Sequence, residues 1–234
     1  MIKTVLFDLD GTLLPMDMEV FVKAYFKAVA AKLVPRGFDA DQLTKVIWTG
    51  TKCMVNNTGE ISNEEMFWKK FFECYPDRTD EEMIVFNDFY INNFDDVKNS
   101  CGFNPEAGKT IKALKDMGYT LVLASNPLFP RLAQQKRMRW AGVDPDDFTY
   151  ITSYENSRFC KPNPAYYKEI LDKLGLIPEE CLMVGNDTTE DMIAETLGLR
   201  VYLVTDWMIN LANKDISAFP HGHIEGLPEY IRNI

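Results

Sequence analysis

The first apolar run of the chain has the composition of a buried strand. Residues 4–7 are almost continuously apolar or β-branched, which is typical of a central strand in a parallel sheet. From about Asp17 the apolar positions recur every three or four residues until Pro35 and Gly37, a spacing that predicts an amphipathic helix. The chain is therefore expected to begin with one strand and one helix.

The segment up to residue 98 keeps the helical pattern. A second helix is predicted over 41–54. Two more are predicted to start at SNEE (62–65) and TDEE (79–82), because a Ser or Thr three residues before a Glu is the capping-box pattern, and apolar residues follow each. Residues 17–98 are therefore expected to be helical throughout.

Helix and strand patterns alternate after Gly102. Such alternation predicts an α/β fold, in which helices cover the faces of a parallel sheet. The predicted domains are an α/β unit, 1–16 and 99–234, and a helical unit, 17–98, inserted into it. LPEYIRNI at the end of the chain favours a last helical turn. The predicted elements are helices over 105–117, 131–140, 164–174 and 190–197, and strands over 120–124, 148–152, 182–184 and 201–204.

Composition and charge narrow the range of functions. The chain has 234 residues, of which 46% are hydrophobic, and this is enough for a sizeable core. Its formal net charge is -10 and no basic block stands out, so nucleic acid is not an expected partner. No apolar run approaches the ~18 residues of a membrane span, so no membrane association is expected.

The N-terminus and the cysteines predict a cytoplasmic protein. MIKTVLFDLDGT lacks the long apolar region and the cleavage site of a signal peptide. The five cysteines are odd in number, widely spaced and without a C-x-x-C pair. We therefore expect reduced thiols rather than a disulfide framework or a zinc site.

Two carboxylates, Asp8 and Asp10, directly follow the first predicted strand in DLDGT. Like charges at this spacing repel each other, and burial raises the cost. One interpretation is an ordinary strand that leads into an Asp-Gly turn. The other is a carboxylate pair whose charge is compensated by a cation.

Polar residues also follow three later apolar segments, and each group has an ordinary interpretation. Ser125 and Asn126 precede a proline and could form a turn, Lys161 could be solvated, and an acidic cluster could cap the next helix. Together with the two early aspartates, however, they place carboxylates, a hydroxyl and an ammonium group at one edge of the sheet, where ligands bind. This combination favours a divalent cation and a lysine as the compensating charges. The acidic cluster contributes Asn186, Asp187 and Asp191.

These groups resemble the four motifs of the haloacid dehalogenase superfamily, most of whose members are phosphatases. DLDGT is similar to the first motif, SN after an apolar strand to the second, KP to the third and GNDTTED to the fourth. PEAGKTIKALKDMGYTLVLASN also resembles the segment before the second motif. The resemblance covers 1–15 and about 100–205. It implies a Rossmann-like core, and 17–98 resembles the first type of cap domain in position and helicity.

The resemblance and the chemistry of phosphate esters together imply the catalytic roles. Asp8 would attack phosphorus and form an aspartyl phosphate. Asp10 would protonate the leaving oxygen and then deprotonate the attacking water, with Thr12 positioning it. Lys161 would stabilise the transferring oxygens together with Ser125. The residues expected to bind the phosphate group are Thr12, Ser125, Asn126 and Lys161.

The resemblance also implies Mg²⁺ as the cofactor. This cation prefers oxygen ligands, which Asp8, the Asp10 backbone carbonyl and a carboxylate of the fourth motif would supply. Many relatives have aspartate directly after the glycine of that motif, whereas this chain has Asn186. Asp187 is favoured as the metal ligand, and Asn186 as a direct ligand remains the alternative. Asp191 would lie behind the metal and hold Lys161.

Other features are expected to be structural. GFNPEAGKT is not a phosphate-binding loop, because five residues separate its glycines where that motif needs four. His221 and His223 lie among Pro and Gly residues and are expected in an exposed loop. The aromatic residues of 66–94 are expected to form the core of the cap, while Phe21, Trp48 and Met54 are candidates to line the cleft.

The function that the sequence favours is hydrolysis of a small phosphate monoester by a Mg²⁺-dependent phosphatase. A cap over the site would exclude water and favour small phosphorylated metabolites. A phosphomutase of the same superfamily is the first alternative. A dehalogenase is less favoured because its chemistry does not need an acid at Asp10, and a catalytically inactive binding protein is disfavoured by the intact motifs. The sequence identifies neither the substrate nor the oligomeric state.

Overall fold

The computed structural model describes residues 1–234 and contains one six-stranded sheet. Its strands are β1 (Thr4–Phe7), β2 (Thr120–Leu123), β3 (Tyr150–Ile151), β4 (Cys181–Gly185), β5 (Arg200–Val204) and β6 (His221–Gly222). They lie in the order β3-β2-β1-β4-β5-β6, and every neighbouring pair is parallel. The carboxyl end of β1 therefore lies between those of β2 and β4.

Eight α-helices and several short 3₁₀ segments complete the fold. The helices are α1 (Met18–Leu33), α2 (Ala40–Val55), α3 (Asn63–Cys74), α4 (Glu81–Asn92), α5 (Pro105–Asp116), α6 (Arg131–Trp140), α7 (Pro164–Leu174) and α8 (Leu227–Arg232). None of these helices is long and apolar enough to cross a membrane.

Both faces of the central strand are buried, as its continuous apolar run predicts. Val5 and Phe7 pack into one hydrophobic cluster, which includes Ile111 of α5. Leu6 points to the opposite face and packs into a second cluster with Ile170 of α7. Successive side chains of a strand alternate between faces, so a strand covered on both sides is apolar throughout. The predicted α/β fold with a parallel sheet is confirmed.

Most predicted elements form within a residue or two of their expected bounds, and two differ. The predicted helix over 190–197 is a 3₁₀ segment, Met192–Leu197, because the preceding loop is held by side-chain bonds to Asp187. TDEE does not form a capping box, since Glu82 pairs with Arg78 at 3.0 Å instead. The capping box at Ser62 and Glu65 does form. The two-residue strand β6 was too short to be predicted from its pattern.

The four helices α1–α4 all lie between β1 and β2 in the chain, as the sequence predicts. Their aromatic side chains pack on one another, for example Trp68 on Phe71 with ring centroids 5.2 Å apart. The first helix also contacts the sheet unit, because Phe21 packs against Phe129 at 6.1 Å. The division into a separate cap domain with bounds at 17 and 98 stays a prediction.

Candidate active site

A tight loop after β1 places Asp8 and Asp10 at the carboxyl edge of the sheet. The N–H of Asp8 donates to the carbonyl oxygen of Val184 in β4 at 2.9 Å, so this residue is still bound to the sheet. Gly11 has a φ of +83°, and a Cβ atom there would lie 2.2 Å from Nδ2 of Asn186. Both features require glycine, and they bring the first and fourth motifs into contact.

The carboxylate of Asp8 is held through both of its oxygens. Nζ of Lys161 donates to Oδ1 at 2.8 Å, and Oγ1 of Thr12 donates to Oδ2 at 3.0 Å. The sequence predicts that Thr12 positions Asp10, and here the structure differs. The turn folds Thr12 back toward Asp8, whereas the Asp10 carboxylate points toward α6.

Lys161 is buried between two carboxylates. Its Nζ lies 2.8 Å from Oδ1 of Asp8 and 2.6 Å from Oδ1 of Asp191, and its side chain is 1% exposed. Burial alone would lower its pKa, but the charges of Asp191 and Asp8 raise the pKa of Lys161 well above its usual value. Burial also raises the pKa of Asp191, and the ammonium group opposes that shift. Lys161 therefore stays charged and fixes Asp8 from behind.

Asp10 is paired with a buried arginine. Nη1 of Arg137, on α6, donates to Oδ2 of Asp10, and Nη2 donates to Oε1 of Gln134. The guanidinium lies 4.6 Å from the ring centroid of Phe129, and the Arg137 side chain is 1% exposed. Burial raises the pKa of Asp10, Arg137 opposes this, and the charge on Asp8 adds to it. The other oxygen, Oδ1 of Asp10, is buried without a hydrogen-bond partner.

Ser125 and Asn126 come from the loop after β2. The carbonyl oxygen of Ser125 accepts hydrogen bonds from the hydroxyls of Thr152 and Tyr166, at 2.7 and 2.8 Å, which fix the loop. Nδ2 of Asn126 donates to Oε2 of Glu190 at 3.2 Å, while its Oδ1 is buried and unpaired. Burial raises the pKa of Glu190, with the Lys161 charge acting in the opposite direction.

The loop after β4 carries Asp187 and Asp191, which are joined by a hydrogen bond and also bind neighbouring groups. Oδ2 of Asp191 accepts from the N–H of Asp187 at 2.9 Å, and Oδ1 of Asp191 binds Lys161. Oδ1 of Asp187 accepts from the N–H groups of Thr189 and Glu190, at 2.6 and 2.9 Å. Asp191 is therefore engaged through both oxygens, and its contact with Lys161 is the one that the sequence predicts. Asp187 is engaged through one oxygen.

Asn186 is engaged at both ends of its amide. Its Oδ1 lies 3.1 Å from Oγ1 of Thr12, whose single proton it shares with Asp8, and its Nδ2 donates to the carbonyl oxygen of Trp207 at 2.7 Å. The bond to Trp207 fixes which end of the amide faces Thr12. A metal bound directly to Asn186 would have to share Oδ1 with that hydroxyl, so the contacts favour Asp187 as the ligand.

These side chains surround one cavity of about 240 Å³ at the carboxyl edge of the sheet. Lys161 and Thr12 lie behind its wall, and no basic residue lines it. Of the three expected cleft residues, Phe21 lines this cavity, Trp48 lines a neighbouring one, and Met54 is buried and lines neither. The polar lining consists of Asp8, Asp10, Ser125, Asn126, Asn186, Asp187, Glu190 and Asp191.

The donor atoms of this cavity suit a hard divalent cation. They are carboxylate, amide and hydroxyl oxygens, and only one carboxylate oxygen of Asp187 is engaged, by the N–H groups of Thr189 and Glu190. In the present side-chain conformations no three His, Cys, Asp or Glu side chains are arranged as a metal site. Arg137 holds Asp10, and Lys161 holds Asp191. The donor chemistry fits Mg²⁺.

Both histidines are exposed, as expected, but His221 lies in the short strand β6 rather than in a loop. Its Nδ1 lies 2.8 Å from the carbonyl oxygen of Phe219. Nδ1 of His223 lies 3.5 Å from Oδ1 of Asp206. Neither histidine lines the cavity.

Arg137 and Glu190 belong to this site but do not stand out in the sequence. Arg137 lies in RLAQQKRMRW, which has three arginines and one lysine and therefore reads as an exposed helix. The sequence signal that could have identified Arg137 is its place on the helix. Ala133, Arg137 and Ala141 recur at four-residue spacing, and all three are buried. An arginine on the buried stripe of a helix requires an anionic partner, which is Asp10.

Comparison with known proteins agrees with this fold. A phosphoglycolate phosphatase of Vibrio vulnificus (strain YJ016) is 26% identical over 211 residues, 87% of this chain and 84% of that protein. The crystal structure of a HAD phosphatase from Thermococcus onnurineus superposes with a TM-score of 0.60 at 20% identity, covering 98% of each chain.

The crystal structure of a 2-haloacid dehalogenase from Pseudomonas syringae pv. Tomato DC3000 gives a TM-score of 0.65 at 20% identity, over 100% of this chain and 99% of that one. At such identities the two structures establish a shared fold. The sequence model of the haloacid dehalogenase-like hydrolases matches residues 2–194, which include all four motifs. The chain belongs to the haloacid dehalogenase-like hydrolase family.

Proposed function

We propose that this enzyme is a Mg²⁺-dependent phosphatase that hydrolyses small phosphate monoesters through an aspartyl-phosphate intermediate. The observation that carries the proposal is the arrangement of Asp8 and Asp10 on one cavity, with Lys161 buried behind Asp8. A nucleophilic carboxylate, a second carboxyl group for proton transfer and a fixed cation are what two-step hydrolysis of a phosphate ester requires.

In the first step an oxygen of Asp8 attacks phosphorus, and the bond to the leaving oxygen breaks. Asp10 gives its proton to that oxygen, so the leaving group departs as an alcohol. In the second step water attacks the aspartyl phosphate, Asp10 takes a proton from the water, and phosphate leaves. A carboxyl group whose pKa is raised by burial is suited to both roles, because an effective proton carrier has a pKa near the working pH.

Lys161 and Thr12 hold the attacking carboxylate in one orientation throughout. Their contacts at 2.8 and 3.0 Å occupy both oxygens of Asp8, so its plane is fixed before a substrate binds. Ser125 and Asn126 line the same cavity and are proposed to bind the phosphoryl oxygens. Mg²⁺, held by Asp8, Asp10 and Asp187, would offset the repulsion between the carboxylates and the phosphoryl group.

The names of relatives support phosphatase over dehalogenase chemistry. The Vibrio relative is a phosphatase by name, and it covers most of both chains. The dehalogenase from Pseudomonas shares the fold at 20% identity, which does not assign its reaction to this chain. Asp10 favours the phosphatase, because a phosphate ester needs a proton for its leaving oxygen and a halide does not. A phosphomutase, which returns the phosphoryl group to its substrate, remains the second candidate on the same residues.

The test is phosphate release from p-nitrophenyl phosphate in the presence of Mg²⁺. We expect turnover by the wild type and none by Asp8→Asn, whereas the exposed Asp41→Asn, a matched removal of one carboxylate, keeps the wild-type rate. The proposal would be refuted if the wild type showed no turnover, or if its turnover did not depend on Asp8. A panel of phosphorylated metabolites then ranks substrates, and product analysis with a sugar phosphate distinguishes hydrolysis from transfer back to the sugar.

We propose a cytoplasmic location on the basis of the cysteines. All five are free thiols, and Cys160 and Cys181 are buried. Burial raises the pKa of Cys160 to about 12 and that of Cys181 to about 11, so neither ionises near neutral pH. Unreactive, unpaired thiols suit a reducing compartment.

A further inference from the structure

A second cavity adjoins the catalytic one and is almost wholly apolar. We call it the aromatic cavity; its volume is about 120 Å³, and fourteen of its fifteen lining residues are hydrophobic. Helices α1–α4 supply most of the wall, and the loops before α6 and after β3 supply the rest. The lining is Met18, Phe21, Val22, Tyr25, Phe26, Ile47, Trp48, Thr51, Phe67, Trp68, Phe86, Tyr90, Leu128, Phe129 and Tyr154.

The aromatic cavity adjoins the catalytic cavity, because the two share part of their lining. Met18, Phe21, Leu128 and Phe129 line both. The rings of Phe21 and Phe129, which belong to both linings, pack edge to face at 6.1 Å. A group attached to a phosphate in the catalytic cavity would therefore meet this aromatic wall first.

The polar groups of the aromatic cavity leave no place for a charge. The hydroxyls of Tyr25 and Tyr90 bond to each other at 2.9 Å, and the hydroxyl of Thr51 bonds to the carbonyl oxygen of Ile47 at 2.9 Å. The indole N–H of Trp68 is buried near the hydroxyl of Tyr154, which also lines the cavity, and neither group supplies a countercharge. Placing a carboxylate or a second phosphate among these side chains would desolvate it without compensation.

We infer that the aromatic cavity binds the leaving group of the substrate, and that this group is compact, uncharged and mainly apolar. This inference rests on the proposed phosphatase function and specifies its substrate class: a phosphate monoester of a small aryl or branched-alkyl alcohol. A dry apolar cavity of about 150 Å³ holds benzene, so a slightly smaller one suits a group of at most that size. The lining of the catalytic cavity supports the same inference, because its five acidic side chains disfavour a leaving group with a carboxylate.

The wild-type enzyme tests the inference through three substrates that each release a primary alcohol. These are benzyl phosphate, isobutyl phosphate and phosphoglycolate, so the need for leaving-group protonation is similar among them. We expect kcat/KM for benzyl and isobutyl phosphate to exceed that for phosphoglycolate at least tenfold, which corresponds to about 1.4 kcal/mol. A preference for phosphoglycolate would overturn the inference.

Two variants on α2 test the location. Thr51→Trp fills the aromatic cavity, whereas Thr49→Trp makes the same change at an exposed position whose hydroxyl also bonds to a helix carbonyl, that of Lys45. We expect Thr51→Trp to lose at least tenfold in kcat/KM for benzyl phosphate, and Thr49→Trp to keep the wild-type value. Equal values for the two variants would place the leaving group elsewhere.

Acetyl phosphate, whose leaving group is too small to reach the aromatic cavity, separates this inference from the proposed function. Asp8-dependent hydrolysis of acetyl phosphate by Thr51→Trp shows that the variant is folded and is a phosphatase. If the wild type hydrolyses acetyl phosphate but prefers phosphoglycolate, only the inference fails. If it hydrolyses no phosphate compound, the proposed function fails with it. Should Thr51→Trp not fold, the wild-type ranking still decides.

Discussion

Arg137 holds the carboxylate of Asp10 from a helix that lies 127 positions further along the chain. The arginine side chain is 1% exposed, and its guanidinium also contacts Gln134 and the face of Phe129. Burial and the charge on Asp8 raise the pKa of Asp10, while Arg137 and, less strongly, Lys161 lower it. We infer that Arg137 positions the proposed acid and base and sets its proton affinity.

Replacement of Arg137 by methionine is predicted to shift the pH dependence of catalysis upward. Without the cation, the pKa of Asp10 rises further, so the form that deprotonates water becomes available only at higher pH. The measurement is kcat against pH with an alkyl phosphate. Arg139→Met on the exposed face of the same helix is the control and should keep the wild-type profile. An unshifted profile in Arg137→Met would show that the pair is only structural.

Lys161→Met is predicted to lose both activity and stability, and the loss of stability should grow with pH. Removing one partner of a buried ion pair typically costs about 3–5 kcal/mol. Without the ammonium, the folded-state pKa of Asp191 rises above its already raised value, whereas in the unfolded chain an aspartate ionises near ~3.9. A group with a raised folded-state pKa contributes stability below its unfolded pKa and loses that contribution as pH rises.

Urea unfolding of the wild type and Lys161→Met at pH 4.5 and pH 8 measures this effect. The difference in the free energy of unfolding should be larger at pH 8. Lys161→Met combined with Asp191→Asn is the control, because it removes the carboxylate along with its cation and should recover part of the stability. If Lys161→Met kept the wild-type turnover, catalysis would not use Lys161.

The fold could be predicted because its signals are local. The continuous apolar run of Thr4–Phe7 specifies a strand buried on both faces, and the alternation after Gly102 specifies crossovers between parallel strands. These patterns also place the motif residues, since each motif lies at the carboxyl end of a strand or in a loop nearby. The match of the family model over 2–194 confirms the enzyme class that the motifs predict.

The remaining contacts of the site could not be predicted because they depend on tertiary packing. Nothing in DLDGT distinguishes whether Thr12 bonds to Asp8 or to Asp10; the choice is made by the turn at Gly11. Arg137 does not stand out in a basic helix until its partner is placed, because helical spacing alone does not reveal an ion pair between distant segments. The aromatic cavity likewise depends on how α1–α4 pack, which sequence spacing does not fix.

Activity is predicted to require Mg²⁺ and to be inhibited by Ca²⁺. Mg²⁺ keeps a small octahedral set of oxygen ligands, whereas Ca²⁺ takes about 6–8 ligands at longer distances and often binds a carboxylate through both oxygens. Bidentate binding of Asp8 would tie the oxygen that attacks phosphorus to the metal. The measurement is turnover of p-nitrophenyl phosphate with Mg²⁺ alone, with added Ca²⁺ and in excess chelator. Full turnover in chelator would contradict the metal's role.

Asp8→Asn and Asp10→Asn are predicted to fail at different points of the reaction. Asparagine at position 8 is too poor a nucleophile, so no phosphoenzyme should form with any substrate. Asparagine at position 10 leaves the nucleophile intact but cannot transfer a proton, and loss of a general acid or base typically costs roughly 10²–10⁴ in rate. The loss should be smallest for substrates with good leaving groups, which need little protonation.

The two variants can be told apart by a covalent intermediate. With p-nitrophenyl phosphate, Asp10→Asn should form aspartyl phosphate readily and hydrolyse it slowly, because the attacking water lacks its base. Mass spectrometry after a rapid acid quench should therefore find a phosphorylated peptide that contains Asp8 in this variant. The same peptide should be unmodified in Asp8→Asn, which serves as the control. If Asp8→Asn hydrolysed substrate at the wild-type rate, the aspartyl-phosphate mechanism would be ruled out. No other carboxylate in the cavity is held by both Lys161 and Thr12.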